Sequence, residues 1–149
     1  MRKASASSCV GLLVVLLVDG CAKKGDPVRE TIDAVVKAAN ARDAAALLTR
    51  VAPDFEAADG ASRLDVEVRL KQYFAAYEIF NVTVSDVQIE RGEGAALVRL
   101  RAQLSGQPRA VGGLSGLLPS DAKYDFEIRL MYDGEAWKIT WAAWTPVAS

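Results

Sequence analysis

Two hydrophobic rhythms divide the chain. From Val28, apolar residues recur at Ile32, Val35, Val36 and Ala39, the spacing of one helix face, with Arg29, Glu30, Asp33 and Lys37 elsewhere on the wheel. Asp26-Pro27 starts this helix well, an N-cap candidate followed by proline at the first helical position. Asn40-Ala41-Arg42 closes it. Asp43 then caps a short Ala-rich helix that turns Leu47 and Leu48 inward and stops before Pro53. Asp54-Phe55-Glu56 reads as a short extended piece and Asp59-Gly60 as a turn. Ser62 with Asp65 three residues on opens a third helix in capping-box style. Its stripe is Val66, Leu70, Tyr73 and Tyr77, with Phe74 beside them, and the pattern ends it near Ile79 or Phe80.

From Asn81 the period drops to two. Val82 and Val84 alternate, then Val87 and Ile89; the change of parity predicts a bulge near Ser85-Asp86. After the turn Arg91-Gly92-Glu93-Gly94, Ala96, Val98, Leu100, Ala102 and Leu104 form one face. Tyr124, Phe126, Ile128, Leu130 and Tyr132 form the next, and Asp133-Gly134 marks a tight hairpin. Trp137, Ile139, Trp141 and Ala143 alternate in the last run, which Pro146 ends. The pattern predicts an α+β fold, with three N-terminal helices packed on a curved antiparallel sheet of four main strands. Arg99, Arg101, Glu127 and Arg129 fall on the outward face, where neighbouring strands would pair them. Trp144 is a candidate interface aromatic for a homodimer through that face.

The segment before Asp26 follows neither rhythm. Arg2 and Lys3 precede an uncharged stretch, Ala4 to Val18, whose apolar part Val10–Val18 is well under the ~20 residues a membrane-spanning helix needs. Val18-Asp19-Gly20-Cys21 follows, then Ala22-Lys23-Lys24-Gly25. This order resembles a bacterial lipoprotein signal, with Asp19 standing where a small uncharged residue is usual. The resemblance implies cleavage before Cys21, a diacylglyceryl thioether on its sulfur and N-acylation. Residues 1–20 are then signal peptide, 21–26 acylated cysteine and tether, and 27–146 the domain. Ala22 after the cysteine leans the expected location to the periplasmic face of the outer membrane.

Composition narrows the chemistry. The 149 residues carry 18 basic and 19 acidic side chains, a net charge of −1, 2 Cys and no His. About half the residues are apolar, enough for one packed domain. Near-neutral charge gives no footprint for nucleic acid. Without His, all His-based triads and His-ligated metals are excluded, and two cysteines make no four-cysteine zinc site. No metal and no cofactor is expected. Processing would discard Cys9, consume Cys21 in lipid and move the net charge to −2, since Arg2, Lys3 and Asp19 leave together. The mature domain then has no free thiol.

The helix and strand order resembles the nuclear-transport-factor-2-like superfamily, which includes ketosteroid isomerases and polyketide cyclases besides many non-catalytic modules. The resemblance rests on the long helix Pro27–Asn40, the short Asp43-capped helix ending at Arg50, the Ala52-Pro53-Asp54-Phe55 segment and the late hairpin Tyr132–Ile139. It covers about residues 27–146. A cystatin-like or other helix-on-meander domain would bury the same faces. The resemblance implies a cone between helices and sheet, which maps its lining onto Phe55, Tyr73, Tyr77, Phe126, Ile128, Trp137, Ile139 and Trp141. These side chains either fill the cone or line a pocket.

An isomerase-like site would need a carboxylate base and a phenol in that pocket, for which Asp54, Glu56 and Tyr77 are the candidates. Fold does not dictate function, however. The expectation is a lipid-anchored, non-catalytic binding or accessory module for a small apolar ligand or an envelope protein. The alternative is an isomerase- or cyclase-like enzyme. Residues 105–120, long for a hairpin loop and apolar at Leu114, Leu117 and Leu118, are expected to cover the pocket mouth, meet a partner or the bilayer, or fold back on the domain edge.

Overall fold

A computed structural model describes residues 25–109 and 119–148. Within the described residues the elements are, in order, α1 (Pro27–Asn40), α2 (Ala44–Leu48), β1 (Val51–Ala57), α3 (Arg63–Ala76), β2 (Tyr77–Arg91), β3 (Ala95–Pro108), β4 (Asp121–Tyr132) and β5 (Trp137–Pro146). The fold is α+β, as the two periodicities predict. Cys21 and Leu114, Leu117 and Leu118 lie outside the described residues.

The three helix starts follow the polar residues at their N-termini. The Asp26 carboxylate accepts from the backbone N–H of Val28 at 2.9 Å and of Arg29 at 3.3 Å. Asp43 accepts from Ala46 N–H at 2.9 Å. Ser62 and Asp65 form a complete capping box. These bonds satisfy backbone donors that a helix leaves unpaired at its start.

Among the described residues the sheet has five strands in the order β1-β5-β4-β3-β2, where the sequence pattern gives four, and it is not wholly antiparallel. The extra strand is the Val51–Ala57 segment. It pairs in parallel with β5 and separates α2 from α3, so the three helices are not consecutive. Pro53 has no N–H to donate, yet it is tolerated because β1 is an edge strand. The other edge, β2, is protected at Val82. The Asn40 side-chain amide donates to its carbonyl at 3.0 Å and accepts from its N–H at 2.6 Å, standing in for a neighbouring strand.

The bulge expected near Ser85-Asp86 is present. Ser85 faces Arg101 and Gln88 faces Arg99, which leaves one extra residue on β2, and Asp86 takes a positive φ of 54°. A second bulge was not legible in the pattern. Arg129 faces Trp141 while Leu130 faces Ile139, so Thr140 is the extra residue on β5.

α3 stops at Ala76, three or four residues sooner than its apolar stripe suggests, because Tyr77 already pairs with β3. At the other end of that pairing, Ser105–Pro108 continue β3, which shortens the expected 105–120 loop. Gly106 permits this close approach. A Cβ there would sit 2.5 Å from the Ile79 carbonyl oxygen and 2.9 Å from the Tyr77 ring.

The core lies between α1, α2, α3 and the concave sheet face. Val28, Ile32, Val98 and Leu130 are essentially without solvent contact. Each such side chain contributes about 1.5–3 kcal/mol over its exposed state. The convex face carries the expected ion pairs. Arg101 meets Asp125 through two bonds of 2.8 and 3.1 Å, and Arg99 meets Glu90 at 2.9 Å and Glu127 at 3.3 Å. Arg129 lies over the Trp141 ring at 4.4 Å.

Candidate functional site: an apolar cavity in the cone

Helices and sheet do not close completely on each other. Between them lies a cavity of about 390 Å³, within the size range of small-molecule sites. Its floor is formed by the buried side chains Ile32, Leu47, Val51, Leu100, Ile128 and Ile139. Toward the β3–β4 end the walls become partly exposed at Leu70, Tyr73, Leu104, Tyr124 and Trp144, which form the rim among the described residues.

The eight residues mapped from the sequence separate at this point. Phe55, Tyr73, Phe126, Ile128 and Ile139 border the cavity; Tyr77, Trp137 and Trp141 do not. Tyr77 is buried beside it at the α3–β2 junction, its ring 4.9 Å from that of Tyr73 and its hydroxyl donating to the Pro119 carbonyl at 2.8 Å. Trp137 sits at the opposite, narrow end, under the Arg91 guanidinium at 5.8 Å and against the Tyr132 ring at 5.8 Å. Trp141 is turned to the convex face by the extra residue Thr140. The same bulge puts Ala142 and Trp144 inward. Trp144 thus lines the cavity, its ring 6.1 Å from Phe126, instead of belonging to the outward face. The sequence held no signal for this, because from Trp141 to Trp144 both parities of β5 are apolar.

Polar groups are few on this surface. Arg69, Tyr73 and Tyr124 supply them, together with the Trp144 indole. The Arg69 guanidinium is engaged by Asp59 at 2.8 Å. Burial, and then the neighbouring Tyr77 phenol, push the Tyr73 hydroxyl well above the ordinary tyrosine range. Tyr73 therefore stays neutral and protonated, suited to donating a hydrogen bond and not to taking a proton. Asp54 and Glu56 flank the buried Phe55 on β1 and both are exposed, because the strand turns alternate side chains to opposite faces. Neither is among the lining residues. Among the described residues, no three His, Cys, Asp or Glu side chains are grouped to hold a metal ion, and no helix is long and apolar enough to cross a membrane.

An open cone of three helices over a curved sheet, with an apolar interior, defines the nuclear-transport-factor-2-like, or cystatin-like, α+β fold. Solved structures agree. A provisionally assigned scytalone dehydratase from Novosphingobium aromaticivorans matches with a TM-score of 0.69 and 13% identity, over 82% of this chain and 83% of that one. A provisionally assigned dehydratase of the nuclear-transport-factor-2-like family from Streptomyces avermitilis matches at 0.69 and 15%, over 83% and 96%. Bd1075 from Bdellovibrio bacteriovorus matches at 0.67 and 17%, over 80% of this chain but only 40% of its own length. At these identities the likeness is one of fold. No protein-family model and no curated protein matches the sequence.

Proposed function

We propose that this protein is a lipid-anchored envelope module that binds one small apolar ligand in the cone. The observation that carries the reading is the cavity itself: space for a ligand, bounded almost wholly by aliphatic and aromatic side chains. Burial of apolar surface would supply most of the affinity at about 25 cal/mol per Å². The Tyr73 and Tyr124 hydroxyls would orient a single uncharged polar group on the ligand. A charged ligand fits poorly, since Arg69, the one charged residue of the lining among the described residues, already has a partner. The lipoprotein-like order Val18-Asp19-Gly20-Cys21 supports the anchor at Cys21, and Ala22 after it supports a place at the periplasmic face of the outer membrane. Two or more acyl chains hold a protein stably, where one is marginal.

The alternative is an isomerase-, cyclase- or dehydratase-like enzyme, and the names of the fold neighbours favour it. General acid–base chemistry near neutral pH needs a group that titrates there and reaches the substrate. The described lining offers phenols and a paired guanidinium. The sequence Ala110–Leu118 adds no ionisable side chain. Binding therefore ranks before catalysis.

Titration with the neutral fluorescent probe N-phenyl-1-naphthylamine tests the binding reading. Saturable enhancement with one site per chain, displaced by neutral apolar competitors, is the expected result. Enhancement that rises linearly without saturation would reject a defined cavity site.

A further inference from the structure

The end of the fold where the chain enters and the end where the cavity reaches the surface are different ends. Asp26, the residue before α1, is ion-paired with Arg91 at the far end of β2. Arg91 lies over Trp137, and Trp137 stacks on Tyr132. These four side chains close the narrow end of the cone, beside the hairpins at residues 92–94 and 133–136. The cavity rim is at the other end. Asn40, at the far end of α1, bonds Val82, and Val82 pairs with Leu104 of the rim. α1 has 14 residues, so the two ends are about 21 Å apart at 1.5 Å per residue.

From these positions we propose that the narrow end rests against the bilayer carrying the acyl chains, with the cavity rim facing the aqueous compartment. The proposal rests on the anchor at Cys21 proposed above. Cys21 precedes Pro27 by six residues. A chain of that length reaches about 20 Å at most, when fully extended. Bringing the rim down to the lipid therefore demands a nearly taut tether, which costs conformational entropy. The upright placement does not.

The side chains displayed at the narrow end suit an interface. Met131 and Tyr132 are 54% and 48% exposed there; Ile79 at the rim end and Leu64 on α3 are exposed at least as far, so the tether length and not apolar exposure distinguishes the two ends. An aromatic ring with a polar tip favours the headgroup level. Glu93, Asp133 and Glu135 are exposed on the hairpin tips. They fit the ammonium groups of a zwitterionic surface such as phosphatidylethanolamine and would be repelled by a strongly anionic one. In this orientation an apolar ligand arrives through water or from a partner on the aqueous side. It does not slide in from the anchoring leaflet.

The test uses the full chain purified from membranes and reconstituted into phosphatidylethanolamine–phosphatidylcholine vesicles. Glu135→Cys labels the narrow end and Asp121→Cys the rim end; both positions are exposed. Each variant carries a fluorophore, and quenching is read from lipids bearing a nitroxide on the headgroup. Several-fold stronger quenching at position 135 than at 121 is expected. Equal quenching, or stronger quenching at 121, with Cys21 shown by intact mass to be acylated, overturns the orientation alone. An unmodified Cys21 in the same mass spectrum overturns the anchor and the orientation with it.

Discussion

Filling the cone from its central strand separates a cavity from a packed core by the sign of the effect. Ala102 is 4% exposed on β3, lies between Val84 and Tyr124 across the sheet, and borders the cavity. In a close-packed interior, Ala102→Phe forces neighbours off their rotamers and costs about 1–3 kcal/mol. Into a void of about 390 Å³ the ring enters without displacing anything. Burying a phenyl side chain contributes about 1.5–3 kcal/mol. Ordering it costs up to about 1 kcal/mol. A central strand position also favours an aromatic residue. The net expectation is stabilisation by about 0.5–2 kcal/mol, a rise in Tm of about 2–8 °C for a domain of this size. The same ring occupies the ligand's place, so N-phenyl-1-naphthylamine affinity falls at least tenfold. Urea unfolding followed by circular dichroism gives the first number and probe titration the second. A loss of 1 kcal/mol or more with probe binding intact would refute the reasoning, because the side chain would have met packed atoms and the probe would sit elsewhere.

Other substitutions address the rest of the account. Tyr73 titrates above the ordinary tyrosine range in the fold, while the unfolded chain releases that proton near pH 10. Its contribution to stability is thus complete below about pH 10 and is lost as pH rises toward the folded value. Stability of the native chain should fall across that range, Tyr73→Phe should flatten the fall, and ultraviolet titration should show one late phenol that the variant lacks. Leu130 is wholly buried and does not border the cavity, so Leu130→Ala should cost about 2–5 kcal/mol in urea unfolding while probe stoichiometry stays at one. Asp26→Ala removes the α1 cap and the Arg91 pair together and should cost about 1 kcal/mol or more; Asp26→Asn, which keeps a capping oxygen, should lose less.

Local chemistry made much of the fold legible. Asp26-Pro27, Asp43 and the Ser62/Asp65 box each specify a helix start through bonds to nearby backbone, so no distant information is needed. The β2 bulge was visible because Val84 and Val87 stand on opposite parities against polar neighbours. The β5 bulge was not. Trp141, Ala142, Ala143 and Trp144 are all apolar, so alternation there has no contrast, and the two tryptophans were assigned to each other's faces. β1 was hidden for a different reason. Pro53 reads as a breaker, and its strand is defined by a parallel partner more than eighty residues away. At the α3–β2 junction Tyr77–Phe80 serve both rhythms, and only pairing with residues 106–108 decides between helix and strand. The interior of the cone was legible as a set of apolar side chains. Whether they meet or leave a space depends on the separation of helices and sheet, which no local pattern encodes.

Native mass spectrometry of the protein extracted from membranes tests the central claim most directly. The expected species is a chain starting at Cys21, heavier by its acyl groups, that carries one neutral apolar molecule released on unfolding and absent from Ala102→Phe. A processed, acylated chain that is always empty and takes up no neutral apolar competitor would contradict the binding function.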